Sequence, residues 1–503
     1  MGRLWLTYGR WLTGGAAVIL IGGLYALTLA MSYRLPFVYD ESIYLQIARR
    51  AVETGCPIIA EGDGHVFADS PPLVMYIMAA ARVLGGDGLW WLRSVHVSVW
   101  VLPAYVAMFL LARRAFGAAA GLLALASFFT QQDFMREAAE VKLDVPVASL
   151  AALFLLGLSY VWAESGRRRG LAIAMCAVCG GLACLTKYQG ALLPMTGILV
   201  LLIGRWMGPR PVAAARLPEV WLLAGAVVGG LIWFGLNSAC GGNLVATLLS
   251  NLRRVTFQSS ETWFHRPVLV YWSDLGRALG PVPVAGGIAG AVVWSGRLRM
   301  APRVMLVVAW VVVTFVFCSA IGLRHERYFM PAVPALFVLV GALAAAETYD
   351  LPYLRHHLTA ARVVRLGVVA LVLVWTAVSL RATITGLADV ARIGERSDTF
   401  YLRLAAVIRR VIPPEDRIMV SRPQTAYFAE RNYFLSEYNV DGKALLSTLA
   451  DPHNRITLIV QDSNQMLHPD MPAADQRQFW EYVQQHFSVS QALGGRVRQR
   501  TSW

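Results

Sequence analysis

Two adjacent carboxylates, Asp40 and Glu41, follow the first long apolar run of this 503-residue chain. Downstream, Ile43 and Ile47 share one helical face, which predicts a helix lying along a membrane surface. Acids at the start of such a helix are favoured by its dipole, so an N-terminal cap is one interpretation. Carboxylates at a bilayer edge are costly to desolvate and tend to be retained for function. We therefore interpret Asp40 and Glu41 as candidate catalytic residues, one of them a general base.

Two more acids stand at the entrances of apolar segments. Asp69 precedes Pro71-Pro72, which fix a rigid entry into the next segment. Asp144 opens the apolar run that follows the polar stretch 133–143. For each, a turn aspartate or an ordinary helix start is the alternative to a functional acid.

Cationic residues gather in two other loops. His265 and Arg266 end one loop, and Arg324 and Arg327 flank His325-Glu326 in the other. Arginine and histidine at a lipid boundary suit an anionic group, above all phosphate. An interfacial charged belt is the alternative for the second loop.

The composition indicates what positions these residues. Hydrophobic residues make up 57% of the chain and charged residues 15%, whereas soluble domains carry about 25% charged residues. The chain is therefore predicted to be a polytopic α-helical membrane protein. Its net charge of +14 lies in short loops between apolar runs, as the positive-inside rule requires, so no nucleic-acid partner is expected.

Loop charge orders the apolar segments. Arginine-rich loops alternate with arginine-poor ones, which predicts an odd number of spans and places the chain's tail outside. Pro71–Gly86 is apolar but too short for a comfortable span, so we predict that it is interfacial, re-entrant or one of a short pair. The candidate spans are 11–31, 90–112, 115–132, 144–163, 170–186, 190–206, 218–238, 268–294, 302–322, 328–347 and 363–383.

The tail has ordinary soluble composition. Arg417–Ser421 and Ile456–Val460 are predicted strands, and Asp441–Ala450 and Ala474–Phe487 are predicted helices. We predict a membrane domain over 1–385 and a small α/β domain over 386–503. The second domain would cover the active site, bind the acceptor or act as a stabilising cap.

The cysteines and the N-terminus give two further expectations. The six cysteines indicate no disulfide framework, and Cys176, Cys179 and Cys184 are expected to pack helices. The first apolar run is long and lacks a small-residue cleavage site, so it is predicted to be an anchor.

Five short motifs, in order, resemble the GT-C superfamily of membrane glycosyltransferases, especially the aminoarabinose transferases and the protein O-mannosyltransferase-like enzymes. They cover the whole membrane region. Asp40-Glu41 is followed by Tyr44 and Ala48-Arg49. The others are Pro71-Pro72-Leu73, Arg113-Arg114-Ala115-Phe116-Gly117, Leu185-Thr186-Lys187 and Arg327-Tyr328-Phe329-Met330-Pro331.

The resemblance implies a GT-C fold of about 11–13 transmembrane helices with a small extracytoplasmic domain. It implies an inverting transfer from a polyprenyl-phosphate sugar, with Asp40 as base and Asp144 as a second catalytic acid. A divalent metal would be held by Asp69 and His265. The donor phosphate would be bound by the following residues: Arg324, Arg327, Lys187, Arg266 and Tyr44.

Two departures from the family pattern remove positive charge. Ser70 stands where the family usually has lysine, and Ile43 stands where it often has arginine. Arg324, Arg327 and Lys187 are expected to compensate.

The predicted setting is a bacterial inner membrane, with the active site and C-terminal domain on the extracytoplasmic side. The acceptor would be a lipid, a glycan or a protein. A lipid or glycan transporter and a non-catalytic scaffold are the alternatives. Against a transporter, the acids lie at span ends and the sequence shows no internal repeat.

Overall fold

The chain forms a helical membrane domain followed by a small mixed α/β domain. The computed structural model describes residues 2–59, 65–67, 70–207, 218–246, 248–249, 267–295, 302–321, 325–345, 358–436, 441–461, 467, 471–492 and 495–500. The helices of the membrane domain are α1 (Gly2–Arg34), α2 (Tyr39–Thr54), α3 (Leu73–Gly85), α4 (Leu89–His96), α5 (Leu102–Phe116), α6 (Ala118–Phe128), α7 (Gln132–Ala139), α8 (Asp144–Ala163), α9 (Gly166–Cys184), α10 (Leu192–Met207), α11 (Pro218–Ala239), α12 (Val268–Leu279), α13 (Pro281–Ser295), α14 (Pro302–Ala320) and α15 (Val333–Gly341).

Shorter elements join these helices. A π-turn at Val97–Val101 links α4 to α5 without a break. The 3₁₀ turns are Tyr188–Ala191, Glu326–Ala332 and Ala342–Ala344. The strands β1 (Ile58–Ile59) and β2 (His65–Val66) pair antiparallel in the connection between α2 and α3.

Seven helical segments of the described chain are long and apolar enough to cross a membrane. They are Trp11–Arg34, Leu89–Phe116, Asp144–Ala163, Tyr188–Arg205, Pro218–Ala239, Glu326–Ala344 and Arg362–Gly386. Shorter apolar helices add Leu73–Gly85, Ala118–Phe128 and Val304–Ala320. The prediction of a polytopic helical membrane protein is confirmed.

Two segments show how local sequence sets helix length. The predicted short segment at 71–86 is α3, which has 13 residues and is therefore only about 20 Å long at ~1.5 Å per residue. The predicted single span 268–294 was wrong, because α12 ends at Leu279 and α13 begins at Pro281. Gly280 between them has φ +80°, and proline cannot continue the hydrogen-bond ladder of a preceding helix.

Glycines allow α9 and α11 to pack backbone against backbone. A Cβ at Gly225 would lie 2.2 Å from the Ala177 carbonyl oxygen, and one at Gly229 would lie 2.5 Å from that of Gly181. Small residues bring helices this close in membranes. On the same helix, Cys176 and Cys179 are buried, in agreement with the expectation that they pack helices. The contact fixes α9, whose end precedes Lys187.

A disulfide joins Cys56, just after α2, to Cys240 at the end of α11. The expectation of no disulfide framework was wrong, because the two cysteines lie 184 residues apart and meet only through the helix packing. Both ends fall in segments that loop charge places on the outer side. Disulfides persist in oxidising, extracytoplasmic compartments, so the bond supports that orientation.

The C-terminal part contains the remaining elements, which are α16 (Leu358–Val411), β3 (Arg417–Val420), α17 (Pro423–Ala429), β4 (Tyr433–Leu435), α18 (Gly442–Ala450), a 3₁₀ turn (Pro452–Asn454), β5 (Ile456–Gln461), α19 (Ala473–His486), β6 (Phe487–Ala492) and β7 (Gly495–Arg500). The sheet has the order β4-β3-β5-β7-β6. Strand β3 pairs parallel with β4 and β5, and β7 pairs antiparallel with β5 and β6. The predicted strands and helices of the tail are confirmed.

Helix α16 connects the two parts without interruption, and the predicted boundary at 385/386 lies inside it. The small domain then docks on α2. The Phe37 ring packs on Tyr427 and Phe428, with ring centroids 4.8 and 5.1 Å apart. Arg50 donates to Asn432 Oδ1 at 2.6 Å. The domain therefore rests on the helix that begins with the acidic pair.

The orientation can be tested by labelling in intact cells. We expect a membrane-impermeant maleimide to modify Cys56 and Cys240 only after the cells are treated with reductant, because the predicted orientation places the disulfide on the outer side. The control is Arg168→Cys, placed on the predicted cytoplasmic side, which should stay unlabelled until the membrane is permeabilised. Labelling of Arg168→Cys in intact cells would show that the orientation is inverted.

Candidate active site

Helix α2 begins and ends where its sequence requires. Asp40 and Glu41 occupy the first turn, where acids are favoured by the helix dipole. The helix ends at Gly55, which adopts φ +77° and accepts the left-handed conformation that other residues avoid. Its inner face is apolar, with Leu45 and Ala48 fully buried. The first turn is therefore held at a fixed place against the membrane domain.

Glu41 is buried and paired with Arg93 of α4. Arg93 Nε donates to Glu41 Oε1 at 2.7 Å, and its Nη2 donates to Oε2 at 2.5 Å. The backbone N–H of Val141 also donates to Oε1, at 3.1 Å. Both carboxylate oxygens are thus occupied by a two-point bond, the geometry in which arginine holds a carboxylate most firmly.

Arg93 uses its other donors on the backbone between α1 and α2. Its Nη1 donates to the carbonyls of Ser32 and Leu35, each at 2.8 Å, and its Nη2 donates to that of Pro36 at 3.0 Å. We call Glu41, Arg93 and these contacts the Glu41–Arg93 fork. The fork joins α1, α2, α4 and the segment before α8. Sequence reasoning missed Arg93, although a lone arginine within an apolar run was an available signal.

Asp40, next to Glu41 in the chain, faces a different neighbour. It accepts a hydrogen bond from Nη1 of Arg327, in the 3₁₀ turn before α15. The side chains of both residues remain about a quarter exposed. Burial would raise the pKa of Asp40, but the charges of Arg327, Lys142 and Lys187 outweigh it and hold that pKa below its ordinary value. Asp40 is therefore an ionised and accessible carboxylate.

A second acid–base pair lies nearby. Lys187 Nζ donates to Asp144 Oδ1 at 2.6 Å, and both side chains are almost wholly buried. The ammonium also sits 4.6 Å from the centre of the Tyr328 ring, a favourable cation–π distance. The turn after Lys187 packs tightly against the end of α9, since a Cβ at Gly190 would lie 2.0 Å from the Ala183 carbonyl oxygen.

Tyr44 places its phenol among these charges, one turn after Asp40. Burial and the negative charges of Asp40 and Asp144 raise its pKa well above the ordinary value, so it stays a neutral hydroxyl. The fold thus brings together five of the six predicted site residues that the structure describes, all but Glu41, drawn from α2, α8, the turn after α9 and the turn before α15. They are Asp40, Tyr44, Asp144, Lys187 and Arg327.

A pocket of about 210 Å³ opens beside Arg327. Lys142 in its wall lies 2.8 Å from Glu137 and 2.7 Å from Glu140. Glu140 is 1% exposed, although it stands in the polar stretch 133–143. The pocket therefore has a lining of both charge signs.

Four predicted site residues lie outside the described residues. They are Asp69, His265, Arg266 and Arg324. Among the residues that the structure describes, no group of three or more histidine, cysteine, aspartate or glutamate side chains could hold a metal ion. The metal site assigned to Asp69 and His265 therefore stays a prediction.

Part of the chain matches a known family. Residues 69–234 match the model of the family described as dolichyl-phosphate-mannose-protein mannosyltransferase, a stretch that includes Arg93, Asp144 and Lys187. No curated protein matches the sequence.

Solved structures match over most of the chain. ArnT from Cupriavidus metallidurans bound to undecaprenyl phosphate has a TM-score of 0.68 and 18% identity, covering 98% of each chain. The oligosaccharyltransferase AglB from Archaeoglobus fulgidus, with an inhibitory peptide and a dolichol-phosphate, has a TM-score of 0.59 and 13% identity, covering 90% of this chain and 70% of that one. An Archaeoglobus fulgidus oligosaccharyltransferase in complex with Zn and sulfate has a TM-score of 0.53 and 13% identity, covering 88% of this chain and 67% of that one.

At identities this low, the structural matches establish the fold alone. The chain has the GT-C fold of membrane glycosyltransferases, with an ArnT-like arrangement of its membrane and C-terminal parts. The fold class predicted from the sequence motifs is confirmed.

The Glu41–Arg93 fork predicts that a single substitution, Glu41→Gln, lowers the stability of the protein substantially. Glu41→Gln leaves the Arg93 charge buried without a counter-charge, which costs about 3–5 kcal/mol when one partner of a buried pair is removed. We expect a clear fall in the melting temperature of the purified protein. Glu53→Gln on the same helix removes an exposed partner of Arg50, worth about 0–1 kcal/mol, and is the matched control. Equal melting temperatures for both variants would contradict the assigned role of the fork.

Proposed function

We propose that this protein is an inverting glycosyltransferase that moves a sugar from a polyprenyl-phosphate donor to an acceptor, with Asp40 as general base. One observation carries the proposal: on a GT-C fold, an ionised, accessible carboxylate lies beside two cations, Arg327 and Lys187. That pairing supplies a base and a site for a leaving phosphate. The undecaprenyl phosphate and dolichol-phosphate bound by the structural neighbours support a lipid-phosphate donor.

The reaction balances with these groups. Asp40 takes the proton of an acceptor hydroxyl as its oxygen forms a bond to the anomeric carbon. The bond from that carbon to the phosphate oxygen breaks, and the electron pair leaves with the polyprenyl phosphate. A single displacement of this kind inverts the anomeric centre.

Arg327 couples the two halves of the step. While Asp40 is ionised, Arg327 is bonded to it. When Asp40 takes the proton, its hold on the guanidinium weakens as negative charge grows on the leaving phosphate. The arginine can then stabilise that charge without further rearrangement, which is often the largest contribution to catalysis.

The other residues support this pair. Asp144 fixes the Lys187 ammonium within reach of the same phosphate, and Tyr44 offers a neutral hydroxyl beside Asp40. For Glu41, also predicted to be catalytic, we propose a positioning role, because Arg93 and Val141 occupy both of its oxygens. Arg266 and Arg324 are further proposed phosphate ligands. Asp69 and His265 are proposed to hold a divalent metal that would help bind the donor phosphate.

The placement of the acids favours an enzyme over a lipid or glycan transporter. Asp40 and Asp144 stand in the first turns of α2 and α8. Transporters bury their charged groups in helices broken near the midplane. We propose that the protein works in a bacterial inner membrane with this site on the extracytoplasmic side. The Cys56–Cys240 disulfide supports that placement.

Removing the base should abolish transfer without unfolding the protein. Asp40→Asn keeps the shape of the side chain but cannot accept the proton, and a general base contributes about 10²–10⁴-fold. The measurement is release of polyprenyl phosphate from a radiolabelled donor. Asp274→Asn, which changes an aspartate paired with Arg277 outside the site, is the control. Transfer by Asp40→Asn within a few-fold of wild type would refute the assignment.

The pH profile tests the Asp40–Arg327 pair. Arg327 lowers the pKa of Asp40, so the wild-type base stays ionised, and kcat/KM should hold from neutral pH down toward about 4, the ordinary aspartate pKa. In Arg327→Gln, burial raises the pKa of Asp40 with less opposition, so the acid limb should move to higher pH. A uniform drop in kcat/KM with an unshifted acid limb would show that Arg327 does not tune the base.

A further inference from the structure

A second pocket, of about 160 Å³, lies where the C-terminal domain meets α2. Its walls combine α2 with α17 and the strand connection that follows. The lining residues that matter for its chemistry are Gln46, Arg49, Arg50, Tyr427, Arg431 and Asn432. Arg49 is nine residues after Asp40, which at ~100° per residue places it on the opposite face of α2. The pocket is therefore separate from the candidate active site.

Neutral partners hold two of the arginines in place. Arg50 Nη2 donates to Asn432 Oδ1 at 2.6 Å. The guanidinium of Arg49 lies 5.0 Å from the centre of the Tyr427 ring. An amide and an aromatic ring orient a guanidinium without adding negative charge to the pocket, so both arginines are held in place by these contacts.

The pocket's carboxylates compensate the charge of its three arginines only in part. Glu53 pairs with Arg50 at 3.0 Å, and Glu430 turns toward Arg409, at 3.7 Å, which does not line the pocket. Arg49 reaches Asp87 at 4.0 Å, the limit for an ion pair. Arg431 is 9% exposed, and its Nη groups donate to backbone carbonyls, including that of Ile412 at 2.7 Å.

Two donors in the pocket wall have no partner. The Nε atoms of Arg49 and Arg431 are buried, and neither has a hydrogen-bond acceptor among the residues that the structure describes. Leaving a charged donor unsatisfied costs more than about 1–3 kcal/mol. A group that carries negative charge and accepts several hydrogen bonds would balance the charge of these guanidinium groups, and the cavity exceeds the ~30 Å³ that one water occupies in the liquid.

From these contacts we infer that the pocket between α2 and the C-terminal domain binds a phosphate group, held by Arg49, Arg50 and Arg431. Planar guanidinium groups match phosphate oxygens in charge and geometry. Since one wall belongs to each part of the protein, the bound phosphate fastens the C-terminal domain to the catalytic helix. The phosphate belongs either to an anionic lipid headgroup or to a soluble phosphate compound.

The test measures phosphate binding by calorimetry on the full-length protein in detergent. All variants carry Arg327→Gln, which removes a phosphate contact of the candidate active site. We expect Arg49→Gln with Arg50→Gln to weaken binding of inorganic phosphate at least about tenfold, the loss of a charge-assisted hydrogen bond. The single variant Arg50→Gln, which keeps the Tyr427 contact, should show a smaller loss. Arg403→Gln on the exposed side of α16 should bind as the parent does.

A second experiment, with lipids, distinguishes a lipid headgroup from a soluble phosphate compound as the ligand. The same variants are placed in nanodiscs of phosphatidylcholine with or without phosphatidylglycerol, and retained lipid is measured by native mass spectrometry. Phosphatidylglycerol retained by the parent and lost from the double variant identifies a headgroup site, whereas binding of free phosphate alone identifies a soluble ligand. Unchanged binding of both probes in the double variant, or no binding of either by the parent, would overturn the inference.

Discussion

The Glu41–Arg93 fork is the contact on which the rest of the site depends. One guanidinium holds both oxygens of a carboxylate and the carbonyls that end α1. A buried ion pair of this kind contributes little net stability compared with an apolar pair. It does fix the rotation of α2, and a helix whose rotation is fixed presents its neighbouring residue in one direction. Asp40 is directed at Arg327 because Glu41 is directed at Arg93.

The sequence predicted the members of the site better than their connections. Asp40, Asp144, Lys187 and Arg327 were identified by short motifs because each lies at the end of an apolar run, where charge is conspicuous. Their pairing as Asp40–Arg327 and Asp144–Lys187 depends on helix packing over long sequence distances, which local patterns do not encode. The same limit hid the Cys56–Cys240 disulfide.

The membrane fold was predictable because a lipid environment permits few backbone structures. Backbone groups in hydrocarbon must bond within the segment, so long apolar runs become helices. The break at Gly280 and the short α3 depended on individual glycine and proline residues. Mean hydropathy over a window of many residues does not detect such single positions. Arg93 was missed for a related reason. A single charge within an apolar span can be assigned no role until its buried partner, here Glu41, is known.

The C-terminal domain and the membrane domain meet at α2, so that helix makes functional contacts on two faces. One face carries Asp40, which contacts Arg327. The other face supports the C-terminal domain, through Arg49 at Tyr427 of α17 and Arg50 at Asn432. Movements of the domain would therefore be transmitted to the first turn of α2, which contains Asp40, the proposed base.

We propose that this arrangement breaks the bond between a sugar and a lipid phosphate. The measurement is ³¹P NMR of the purified protein with undecaprenyl-phosphate-linked sugars and a membrane lipid extract as acceptor. We expect conversion of the phosphodiester signal to that of a phosphomonoester, with the sugar recovered in the opposite anomeric configuration. An intact phosphodiester in the presence of folded protein, for every donor sugar offered, or a product with retained configuration, would contradict it.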